Sequence, residues 1–209
     1  MSGNTNIKLK NYLKKFNFTI KIPEEHIKIA FEKTLTDVRY HYPSIIPELI
    51  VDKIISNGNE TAIFLYRLGR IFFNEGDEKG ILTIHGLIRS QCSCEIYFSN
   101  SIGEGFYLVH STGSVIGSRN NIGKGFIIYQ NCTVGHEFDN ENGSDIGNNV
   151  TMLPYSSIIG SINVGDNVII GSYSFLKLDC RDNLVLGGSP AREISDNSQE
   201  LMSRFRPNK

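Results

Sequence analysis

Two histidines, His110 and His136, carry the clearest chemistry in the second half of this chain. Imidazole is the side chain whose unperturbed pKa lies nearest neutrality, so a placed histidine can take the proton of a hydroxyl, a poor nucleophile at that pH. His110 stands in the run Leu108-Val109-His110-Ser111-Thr112-Gly113. His136 opens a loop, His136 to Asp145, that also holds Glu137, Asp139 and Glu141. Taken singly, either histidine reads equally as a solvated surface residue. No Cys or Ser stands in a nucleophile setting, which argues against a covalent enzyme intermediate. Cys92 and Cys94 have C-x-C spacing without a second Cys or His pair at a zinc-site interval, so no metal is expected.

The element that positions these residues is a rhythm of six. Aliphatic residues or Met recur at Ile96, Ile102 and Leu108, then after two extra residues at Ile116, Ile122, Ile128 and Val134, and from Ile146 through Met152, Ile158, Val164 and Ile170 to Leu176. Neither the helical period near 3.6 nor the strand period of 2 selects that spacing. Each unit reads as a short strand and a corner, with the aliphatic residue inward and a small residue four places on: Thr112, Cys132, Ser156, Ser174. Corners such as Ile146-to-Val150 and Val164-to-Val168 carry Gly, Asn and Asp, which tolerate positive φ. Three units close a triangular coil, and stacked coils make a parallel β-helix. A β-sandwich predicts irregular strand spacing instead. The extra pair is placed at Ser114-Val115, directly after the His110 run, where it would bulge the coil.

Before the repeats the period changes. Pro23-Glu24-Glu25 opens a helix through Ile27, Ala30, Phe31, Leu35 and Val38. A second starts near Pro47 and stops before Asn57-Gly58, a third spans Ile63 to Phe72, and a fourth Ile81 to Ile88. The division expected is a helical segment over 1–90 capping the solenoid end, a β-helix over 91–186, and an extension over 187–209 that Gly187, Gly188 and Pro190 bend away from the coil axis. With 209 residues, 40% of them hydrophobic, and a net charge of −1, the totals favour a globular protein without a nucleic-acid or anionic-membrane partner held by bulk charge. No apolar stretch reaches a bilayer span and the N-terminal run lacks a signal-peptide pattern, so a cytoplasmic location is the default.

From Glu95 to Ile194 the chain resembles the hexapeptide-repeat acyltransferases, in their serine acetyltransferase-like branch. The likeness rests on the repeats, Leu108-to-Gly117 (LVHSTGSVIG), Gln130-to-Gly135 (QNCTVG) and the terminal GGSPAREI. It implies a left-handed β-helix, a homotrimer with sites between subunits, and acetyl-CoA as co-substrate for direct O-acetylation. By the match His110 is the general base, Glu95 the acid that orients it, and His136 a substrate-binding or proton-handling residue. Gly160, Gly171 and Ser172 would meet the pantetheine arm, while Lys177, Arg181 and Arg192 would meet the phosphates. The chain departs from the branch in three places. Val109 replaces an Asp beside the base, the loop lacks a late histidine, and Leu153-Pro154-Tyr155 replaces Gly-Ala-Gly. The first two breaks favour a sugar hydroxyl, such as one destined for a surface polysaccharide, as acceptor, with L-serine as the alternative, and the third bears on cofactor contact. A metal-dependent hydratase needs three converging histidines and only two lie in the repeats, and a non-catalytic scaffold stays open.

Overall fold

A computed structural model describes residues 3–16, 20–136, 142–196 and 198–205. The helices come first in chain order: α1 (Gly3–Lys14), α2 (Glu24–His41), α3 (Pro47–Ser56), α4 (Gly58–Glu75) and α5 (Glu78–Cys92). Helix α1 was not expected, because its residues are mostly polar and its apolar stripe is thin. The other four fall where their periodicity puts them. Pro at the start of α3 fits a position whose N–H needs no helical partner, and Gly76 ends α4 in the left-handed region at φ 70°. Helix α4 is the hub, burying Ala62 to Leu68 without interruption. Where it crosses the first coil it presents Gly69, at which a Cβ would fall 2.2 Å from the ring of Phe98.

The six-residue rhythm folds into a parallel β-helix with three faces. Face A stacks β1 (Glu95–Ile96), β4 (Val115–Ile116), β7 (Thr133–Gly135), β10 (Ser157–Ile159) and β13 (Phe175–Leu176). Face B stacks β2 (Ser101–Ile102), β5 (Asn121–Ile122), β8 (Asp145–Ile146) and β11 (Asn163–Val164). Face C stacks β3 (Tyr107–Leu108), β6 (Ile127–Ile128), β9 (Thr151–Met152), β12 (Ile169–Ile170) and β14 (Val185–Gly187). Register pairs like with like: Leu108 opposite Ile128, Ile128 opposite Met152, Ile116 opposite Val134. The repeat aliphatics are all buried.

The outward residues differ sharply between faces. Face B shows Ser101, Asn121, Asp145 and Asn163, all exposed. Face C buries Ile127, Ile169 and Val185; a last helix, α6 (Ser198–Phe205), lays Met202 on Ile169 and Val185, with Leu201 and Phe205 alongside. Face A carries Val115, Thr133, Ile159 and Phe175, half-buried.

Two expectations change. The extra residues lie within 109–113 rather than at Ser114-Val115, because Ser114, not Thr112, stacks with Cys132, Ser156 and Ser174: the carbonyls of these four accept the N–H of Glu95, Val115, Thr133 and Ser157 in successive rungs, and Ser114 is buried while Thr112 is exposed. The glycine-rich segment also does not leave the coil axis. It turns back through Ala191, and β15 (Arg192–Ser195) pairs antiparallel with β14.

Candidate functional site

The corner between faces C and A is the edge that matters. Other coils turn it with three residues between the last inward aliphatic of face C and the small residue of face A, as in Tyr129-Gln130-Asn131. The first coil uses five, Val109 to Gly113. That enlarged corner holds two left-handed residues, His110 at φ 51° and Gly113 at φ 73°. A non-glycine residue is costly there unless its surroundings fix it; the later coils turn this corner on one left-handed residue each, Asn131, Tyr155 and Tyr173, so His110 is the additional one. The fixing bonds are identifiable. The N–H of Ser111 donates to Oδ1 of Asn59 (3.0 Å), at the start of α4, and the N–H of Gly113 donates to the carbonyl of Ser93 (2.7 Å). His110 itself is exposed.

Below His110 the same edge continues through Asn131, then Pro154-Tyr155, then Gly171-Ser172-Tyr173, linked by the bonds Asn131 N–H to Thr112, Tyr155 N–H to Gln130 and Tyr173 N–H to Pro154, at 3.0, 3.1 and 3.1 Å. At its foot Arg192 pairs with Gly187. With strands about 4.8 Å apart and five spacings from β3 to Arg192 in the last strand of the sheet, His110 and Arg192 end a track of roughly 24 Å. Tyr155 and Tyr173 stack along it, centroids 4.8 Å apart and planes within 6°, both exposed. So His110, Gly171, Ser172 and Arg192 share one edge.

The other expected residues do not lie on it. Gly160 (φ 128°) donates its N–H to Gly135, beside His136, and Lys177 follows β13 at the same A-to-B corner. His136 meets Oγ of Ser118 at 3.1 Å and the guanidinium of Arg119 at 3.3 Å. Within one chain the two histidines thus stand at opposite edges of face A, roughly 15–20 Å apart by strand rise. Arg181 pairs with Glu193 at 2.8 Å. Glu95 turns to His85 of α5, 3.5 Å away, where burial holds the imidazole below its ordinary range against the pull of the carboxylate. Glu137, Asp139 and Glu141 lie outside the described residues. Among the described residues no three ligating side chains converge as for a metal.

A second polar group borders the enlarged corner and was not legible in the motifs. Glu60, next to Asn59, is buried, with Oε1 accepting from Nζ of Lys53 at 3.1 Å. Nζ of Lys53 lies 5.7 Å from the ring of Tyr42, whose hydroxyl meets that of Tyr107 at 3.4 Å, three residues before His110. Burial pushes the Tyr107 phenol far up, so it stays neutral. The one available signal was a Glu just before the apolar run Ala62 to Leu65, where nothing local says what it faces.

No protein-family model matches the chain. Among known proteins it is similar to serine acetyltransferase 2 of Arabidopsis thaliana, 30% identical over 136 residues covering 64% of this chain and 42% of that protein. It is also similar to the serine acetyltransferase of Helicobacter pylori, 29% identical over 136 residues covering 80% of that protein. The chain spans about half the length of several relatives, 55% for one from Schizosaccharomyces pombe. The crystal structure of Neisseria gonorrhoeae serine acetyltransferase superposes with a TM-score of 0.70 at 22% identity, over 88% of this chain and 66% of that one. These relatives overturn the sugar acceptor expected from Val109 and the loop, since the proteins they bring are named for serine. The physical reason is that an acid missing beside the base and a changed loop remove groups from a site without showing which acceptor it takes. In sequence the chain resembles the serine acetyltransferase-like branch of the hexapeptide-repeat acyltransferases, and it shares their β-helix fold.

Proposed function

We propose that this protein is a serine O-acetyltransferase that passes the acetyl group of acetyl-CoA directly to the hydroxyl of L-serine, in the cytoplasm. The observation that carries the reading is His110 at the head of the C-to-A edge, on a corner enlarged by two residues and pinned by Asn59 and Ser93. His110 takes the hydroxyl proton as the serine oxygen bonds to the thioester carbon. Backbone amides of the edge hold the resulting oxyanion. The C–S bond then breaks, and the imidazolium returns the proton to the departing sulfur. Gly171 and Ser172 leave room for an extended pantetheine arm, and Arg192 stands where phosphates would lie; the bulk of Pro154 and Tyr155 shapes the track between them.

The working unit in this reading is a trimer built on face A. Face B is polar and face C is covered by α6, which leaves the half-buried Val115, Thr133, Ile159 and Phe175 for neighbours. Around a threefold axis the His136 edge of one protomer, with Gly160 and Lys177, meets the His110 edge of the next. Sedimentation is then expected to give three chains of 23.4 kDa. The direct test is coenzyme A release with L-serine. His110→Ala and His110→Asn are expected to lower kcat about 10²- to 10⁴-fold with the KM for acetyl-CoA little changed. Unchanged turnover would show that His110 is not the base. No release with L-serine in the parent protein would defeat the reading itself.

A further inference from the structure

We propose that Glu60 and Lys53 form the recognition site for the charged end of the acceptor, an α-amino acid, beside the hydroxyl-activating His110; this rests on the serine O-acetyltransferase reading above. Glu60 is 1% exposed, and one of its two oxygens, Oε2, is fully buried without a hydrogen-bond partner among the described residues. A buried carboxylate oxygen left unbonded is costly, so a site that retains one has a use for a donor there. The other oxygen accepts from Lys53, whose side chain is a third exposed. An ammonium has three N–H groups and this contact uses one, which leaves Lys53 able to hold an anion.

An unsatisfied carboxylate oxygen beside a cation with spare donors is the complement of a zwitterion. The amino group of the acceptor would donate to Oε2 of Glu60, and its carboxylate would accept from Lys53. A sugar hydroxyl offers neither charge. Tyr42 and Tyr107 close the far side, and the Tyr107 phenol, kept neutral by burial, adds no competing anion.

The distance to the chemistry is set by the chain. Asn59 and Ser111 are joined at 3.0 Å, and Glu60 and His110 are each one residue from that bond. With neighbouring Cα atoms 3.8 Å apart, the two backbones are roughly 10–15 Å from each other, a gap that an imidazole, a small amino acid and a glutamate side chain fill.

The test is equilibrium binding by calorimetry of L-serine, 3-hydroxypropionate, which lacks the ammonium, and ethanolamine, which lacks the carboxylate. Glu60→Gln is expected to weaken L-serine about 10- to 100-fold and to leave 3-hydroxypropionate within about twofold. Lys53→Met is expected to weaken L-serine similarly and spare ethanolamine. Should Glu60→Gln fail to fold by circular dichroism, Lys53→Met carries the test. L-serine binding within about twofold of the parent in either folded variant, equal losses for serine and its truncated analogues, or no L-serine binding by the parent overturns the site. Coenzyme A release separates the two claims: Glu60-dependent serine binding without release sinks the transferase reading alone, and release that ignores Glu60 and Lys53 sinks only this site.

Discussion

In the β-helix an inward residue meets its own kind: Ile128 lies between Leu108 and Met152, one coil to either side. In the helical half the corresponding core residue, Tyr66, meets Phe98 and Phe106 at 6.4 and 5.8 Å and donates its hydroxyl to the carbonyl of Asn100, more than thirty residues along the chain. Polar groups divide the same way. The solenoid spreads its polarity over half-buried ladders, as at the B-to-C corner, where Asn149 donates to Asn167 and Asn167 to Asn183, each at 3.0 Å. The helical half concentrates it in ion pairs, above all Arg67 donating twice to Asp37 at 2.7 Å in fork-to-fork geometry, with Lys53 donating to the buried Glu60 at 3.1 Å. Repetition distributes stability over small equal shares, whereas a unique cap puts much of it in few residues.

The contrast breaks hardest at that pair. Arg67 also donates to the carbonyls of Ile102 and Gly103, both at 2.8 Å, and Asp37 accepts from the N–H of Gly105 at 3.0 Å, so the pair ties α2 and α4 to the first coil. Asp37→Ala leaves a buried guanidinium without its counter-ion. We expect a loss of about 3–5 kcal/mol in urea unfolding, with part regained when Arg67→Met is added. A loss below about 1 kcal/mol would mean that the cap is held by apolar packing alone.

The same division explains what could be read from the sequence. Each solenoid position is fixed by its neighbours six residues away, so the faces, the inward set and the enlarged corner at His110 follow from spacing, with an error of a few residues in where the extra pair sits. The aim of Glu95 could not follow, because it depends on His85 arriving from α5. Nor could Asn59 be joined to Ser111 or Tyr42 to Tyr107, since those contacts span 50 or more residues through packing that leaves no period. Helix α6 escaped for a related reason: its polar residues give little signal until face C supplies Ile169 and Val185 for Met202 to cover.

A ladder rung should yield far less than the ion pair. Asn167 sits at φ 57°, where Gly105 and Gly125 turn the same corner in the upper coils. Asn167→Gly removes two side-chain bonds but keeps the turn, with an expected cost of about 1 kcal/mol; Asn167→Ala adds the left-handed penalty, about 1 kcal/mol more. If both variants cost as much as Asp37→Ala in the same urea experiment, the solenoid is no more forgiving than its cap.

The smallest effect is read on the thiols, which report each half separately. Burial pushes Cys92 and Cys94, at the join of α5 and β1, up to about 12, and raises Cys132 inside the solenoid and Cys180 near its lower end. The thiolate is the form that reacts with iodoacetamide. At pH 8, about four pH units below the value for Cys92 and Cys94, roughly one thiol in ten thousand there is ionised, so native labelling should be slow and begin at the partly exposed Cys180. In Asp37→Ala the cap loosens first, and Cys92 and Cys94 should be labelled ahead of Cys132, as mass spectrometry of the digested protein would show. Labelling of Cys132 in step with them would mean that the coils open together with the helices, and that the two halves unfold as one.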